Sequence, residues 1–155
     1  MSLSRAEREG LEVAGFALAE GIVRATQATQ LGAALVVRHG TTMQCIPLET
    51  TSDPMTRVTA MLQTLGSGVA DAAFLEEQEH AGQRTIQVSA WVDGEWRCRI
   101  ALPFRAGHPL HVRPERIIGD WSIKADVAQV LDAVYSGVSN HPDGLRAWVN
   151  AVVDV

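Results

Sequence analysis

Several side chains in this sequence are of types that can do chemistry. His108 and His111 stand three apart in His108-Pro109-Leu110-His111, with Glu115 and Asp120 close behind. Imidazoles and carboxylates ligate zinc, and such a set would suit a metal-dependent hydrolase. A zinc-binding His pair normally sits one turn apart on a helix, and Pro109 removes that scaffold. Two loop histidines holding no metal are the plainer reading. Arg97, Arg99, Arg105, Arg113 and Arg116 fall within 20 residues whose one acid is Glu115. Arginine grips carboxylate and phosphate through paired hydrogen bonds. This segment is the expected binding surface, for an acidic protein partner or, in a small-anion sensor, for a phosphate-like group. Trp91 lies on the face away from the expected core. If exposed beside those arginines, it would anchor an interface.

The run Val36-Val37-Arg38-His39-Gly40-Thr41 resembles the histidine phosphatase signature, a strand that ends in Arg-His-Gly. The resemblance covers six residues. It implies His39 as phosphoryl acceptor and Arg38 on the phosphate. Thr41 stands where that family has Glu or Gln, and a long helix precedes the motif. The family also needs a further Arg and a second His; Arg57 and His108 exist, but without the family's context. A hairpin turn with Gly40 at positive φ accounts for the same residues. No Ser/His/Asp order, paired-carboxylate setting or Cys-x-x-Cys is present. Gly66-Ser67-Gly68 follows a helical pattern, which makes it a helix stop and not a phosphate loop. Cys45 and Cys98 sit inside apolar patterns and read as buried thiols. No cofactor is implied.

Charge narrows the partners. The chain has 155 residues, enough for one domain spanning 1–155, and a net charge of −5. Residues 97–116 carry +4 and the remainder −9. A binder that neutralises nucleic-acid phosphates needs a basic excess, so nucleic acid is excluded as a partner. The basic segment either meets the acids Glu76, Glu77 and Glu79 across the sheet or meets another protein. No apolar run approaches the ~20 residues that span a bilayer. Charged residues precede the first apolar stretch, unlike a signal peptide. A cytoplasmic location without membrane contact follows as the expectation. Twelve arginines against one lysine, with many alanines, suggest a GC-rich, bacterial-like coding sequence.

The positioning elements follow from periodicity. Ser4 and Glu7 form a capping box. Leu11, Gly15, Leu18 and Ile22 then recur at helical spacing, ending near Thr29. Gly15 and Gly21 cost that helix about 1 kcal/mol each against Ala, which suggests close packing there. Two strands, 33–38 and 42–48, flank His39-Gly40-Thr41. Asp53-Pro54 opens a second helix. Three strands follow at about 70–79, 84–91 and 95–103. A three-residue loop, Val92-Asp93-Gly94, would pair Ala90 with Trp96 and Val88 with Cys98 and keep apolar faces together. The other face, with Gln87, Ser89, Trp91, Arg97 and Arg99, would be solvated or covered by a partner. Residues 104–121 read as irregular, with a short strand near 110–113. Two helices close the chain, the second with Leu145, Trp148, Val149, Val152 and Val153 on one face.

The order α-β-β-α-β-β-β-α-α specifies an α+β fold: a mainly antiparallel five-stranded sheet with helices packed on one face. That order resembles roadblock and profilin-like modules and, more loosely, acidic secretion-chaperone dimers. The functional expectation is a non-enzymatic protein-binding or regulatory module that pairs with itself or another protein. The alternatives are a small histidine-phosphatase-like or metal-dependent enzyme, and an anion sensor.

Overall fold

The computed structural model describes residues 2–27, 31–48, 56, 58–60, 63, 71–92, 95–105, 111–112, 118–121 and 125–151. Helix α1 (Arg5–Gln27) begins at a reciprocal cap. The Ser4 N–H donates to Glu7 Oε1 and the Glu7 N–H donates to Ser4 Oγ, each at 3.1 Å. The cap answers N–H groups that the first turn leaves without helical partners. Strands β1 (Ala33–His39), β2 (Thr42–Leu48), β3 (Ala72–His80), β4 (Gln83–Val92) and β5 (Glu95–Arg105) form an antiparallel sheet in the order β2-β1-β3-β4-β5. Helices α2 (Val127–Asn140) and α3 (Gly144–Ala151) close the described chain. Between β2 and β3, Thr56, Val58, Thr59, Ala60 and Gln63 are helical. The fold is α+β, in the order that capping and alternation predict.

Two short strands lie in the stretch that reads as irregular. β6 (His111–Val112) pairs with Phe104 and Arg105, and β7 (Ile118–Trp121) pairs with Cys98 to Ala101. Gly119-Asp120 has turn composition, which hides β7 from a propensity reading.

The β4–β5 register differs from the expected one. Val92 pairs with Glu95 and Trp91 with Trp96, so the loop has two residues and not three. Ala90 then pairs with Cys98, and Arg97 is left over as a bulge. The bulge restores what the short loop would break: Ile86, Val88 and Ala90 share a face with Cys98, Ile100 and Leu102. It also moves Trp96 from the helix-facing core to the opposite face, against the cluster that holds Trp91.

Each sheet face carries its own apolar cluster. Toward the helices, Val36, Leu75, Ile86, Val88, Ile100 and Phe104 meet Leu11, Leu18 and Ile22 of α1. On the far face, Leu35, Val37, Phe74 and Trp91 form a smaller core with helical Val58. The far face is therefore not wholly solvated: Thr85 and Ser89 are buried there.

α1 is buried on both sides, by the sheet and by α2 and α3, which explains its alanines and glycines. A Cβ on Gly15 would overlap the Val134 carbonyl, 2.8 Å from its carbon, and one on Gly137 would come within 2.9 Å of the Phe16 nitrogen. The α1 and α2 backbones touch where both lack side chains.

Candidate functional site

β1 places Arg38 and His39 on opposite sides of the sheet, because neighbouring strand residues alternate. The Arg38 guanidinium lies over α1. It donates to the Glu9 carbonyl and stands 3.9 Å from the Glu9 carboxylate and 3.6 Å from that of Glu12. It is spent as a tie between sheet and helix. His39 is exposed at the strand end and pairs with Thr42 across a two-residue turn, with Gly40 at φ +62°. The turn accounts for the Arg-His-Gly run, and the two side chains do not converge on one phosphate. Arg57 and His108 lie outside the described residues.

Of the expected basic surface, Arg99 and Arg105 have described side chains. Arg99 and Arg105 are exposed on β5, and Arg99 stands over the Trp96 ring at 5.8 Å. Six strand residues separate them by roughly 20 Å, too far to share one small anion. Arg97 occupies the bulge, and its side chain lies outside the described residues, as do Arg113 and Arg116. His111 is placed through its backbone alone, opposite Arg105. Arg99 faces Asp120 in the register of β5 and β7.

In the sheet, β4 stands between the acidic strand β3 and the described arginines of β5, Arg99 and Arg105. Glu77 takes two hydrogen bonds from Arg84, at 2.7 and 2.8 Å. Arg84 in turn sits 4.8 Å over the Phe104 ring. The Arg84 hydrogen bonds hold the Glu77 carboxyl below its usual range against the opposing effect of burial. Glu76 accepts from the amides of Gln78 and Gln87.

Trp91 is 7% exposed and belongs to the far-face core. The reading of Trp91 as an exposed interface anchor is thereby corrected. The apolar surface that does face solvent belongs to the closing helices: Leu145 is 56% and Val149 64% exposed. Trp148, beside this patch, is half-buried against the helix-side core and packs edge-on to Tyr135 of α2, with ring centroids 5.3 Å apart. Periodicity does gather Leu145, Trp148 and Val149 on one face. It does not tell that Leu145 and Val149 turn outward while Trp148 packs on the core.

One polar cluster escapes sequence reading altogether. His141, at the α2–α3 junction, meets Glu20 of α1 at 2.6 Å between Nε2 and Oε2. The Asp143 N–H donates to His141 Nδ1, which leaves Nε2 to carry the proton and donate to Glu20. Arg24 donates to the same carboxylate at 3.1 Å and to Cys45 Sγ at 3.4 Å. Burial raises the Glu20 carboxyl, but the hydrogen bonds from His141 and Arg24, with the Arg24 charge, outweigh it and lower it overall. Burial and the nearby Glu20 charge raise the Cys45 thiol, and burial pushes Cys98 up to about 12. Neither cysteine is a thiolate nucleophile near neutral pH. The partners lie 21 and 121 positions apart, so no local motif marks them.

No protein-family model matches the chain, and neither the curated proteins nor the solved structures searched yield a match. No helix among the described residues is long and apolar enough to cross a membrane.

Proposed function

We propose that this chain is a non-catalytic protein-recognition module whose docking surface is the outward face of α3, and that a second copy of the chain docks there. The exposure of Leu145 and Val149, one helical turn apart, carries this reading. Burying the exposed half of each side chain would stabilise a complex by on the order of 1 kcal/mol per residue. Trp148 and Tyr135 add aromatic anchors of the kind that dominate interfaces. A two-fold pair needs this one patch on each copy and no second surface. The divergence of Arg38 from His39 weighs against the histidine-phosphatase-like alternative.

Sedimentation velocity of the full chain tests the proposal. The sedimentation coefficient should rise from a monomer toward a dimer value between about 1 and 100 μM. Leu145→Glu with Val149→Glu should hold the chain monomeric across that range with its circular dichroism unchanged. A wild-type chain that stays monomeric throughout, or a variant that dimerises equally, would overturn it.

A further inference from the structure

A cleft of about 570 Å³ lies between the last turn of α1 and the flank of α3 away from Leu145 and Val149. Helical geometry separates the two flanks. Gly144 and Ala151 point into the core, Leu145 and Val149 lie to one side, and Asp143, Arg146 and Asn150 lie to the other. The cleft floor is apolar, made by Val23, Ala147 and Ala151. Its volume falls within the range of small-molecule sites.

The rim differs from the charged surface of α1. Among the described residues, the arginines of α1 all have acid partners: Arg5 with Glu9, Arg8 with Asp132, and Arg24 with Glu20. Among the described residues, the Arg146 guanidinium has no ion pair or hydrogen bond, and the Asp143 carboxylate has none either. Their positions, three residues apart along one flank, put opposite charges side by side without pairing them. The amides of Gln27 and Asn150 stand on the same rim. An anionic group fits Arg146, a cationic group fits Asp143, and an aliphatic body fits the floor beside them.

We infer that this cleft binds a zwitterionic small molecule with an aliphatic body, of about dipeptide size. It is independent of the docking face, since it uses the opposite flank of α3. The probe is L-alanyl-L-valine, titrated into the uniformly ¹⁵N-labelled full chain to about 10 mM. Saturable amide shifts are expected at Val23, Ala147 and Ala151. N-acetylation of the probe removes its cation and amidation removes its anion; each should weaken binding roughly tenfold. In Asp143→Asn the acetylated and free probes should bind alike, and in Arg146→Gln the amidated and free probes should. Both side chains are exposed, so these variants keep the fold. Two results would sink the inference: no saturable shift at the floor residues, or equal binding of the capped and free probes to the wild-type chain.

Discussion

Ala81 is the described residue, glycines aside, with a positive φ, at +52°. It precedes Gly82, at +80°, in the two-residue turn between His80 and Gln83. Two left-handed positions in succession suit a turn whose twist matches the flanking strands, and Asn-Gly is its best sequence. A Cβ there costs about 1 kcal/mol. Ala81→Asn should therefore raise stability by about 0.5–1 kcal/mol, read as a higher urea midpoint at constant slope. A midpoint that falls would show that the turn does not carry this strain. At this scale, legibility follows distance along the chain. The Ser4–Glu7 cap was readable because both partners sit in one turn. The tie from Arg38 to Glu9 and Glu12 was not, since it joins β1 to helix residues 29 and 26 positions earlier. The phosphatase-like run illustrates the hazard: a hairpin and a phosphate site can share the same residues.

The elements were legible where alternation or capping marks them, and their relations were legible only in part. Matching apolar faces is the right criterion for β4 and β5, yet two arrangements satisfy it. A three-residue loop does so directly. The structure uses a shorter loop and corrects the parity with a bulge at Arg97, a choice that periodicity alone cannot distinguish. The glycines of α1 and α2 were better signals. Glycine inside a helix costs about 1 kcal/mol against alanine, so its presence suggests packing that offsets the cost. At Gly137 an added Cβ would overlap the Glu12 carbonyl, 2.8 Å from its carbon, and backbone cannot swing away as a side chain can. Gly137→Ala should thus lower stability by about 2–3 kcal/mol, despite its gain in helix propensity. Chemical denaturation decides this by sign: a stabilised variant would mean that α1 and α2 are not locked at this crossing.

As a whole, the molecule is a sheet, a central helix wrapped on both sides, and an outer helical pair whose described core-facing stripe on α3 is narrow. Charge buried between these layers makes its stability depend on pH at both ends. Glu20, between α1 and the α2–α3 junction, and Glu77, on the sheet, are held below the usual carboxylate value of 4.5. A lowered carboxylate contributes stability above its unfolded value, and that contribution disappears as pH falls through the lower folded value. Cys98 acts in the opposite sense. Its folded thiol is pushed from 9.0 to about 12, so the unfolded chain releases a proton that the folded chain keeps. Stability then falls as pH rises from about 9 toward 12, by on the order of 4 kcal/mol at full effect. Tyr135, raised by burial, adds to the same limb. Urea midpoints measured from about pH 3 to 11 should give a plateau with two falling limbs. Glu20→Gln should lower the plateau and shrink the acid limb while leaving the alkaline one. Cys98→Ala should cost about 1 kcal/mol near neutrality by lost packing yet make the alkaline limb shallower. If both variants merely lower the curve at every pH, the limbs arise elsewhere in the chain and these buried groups do not set them.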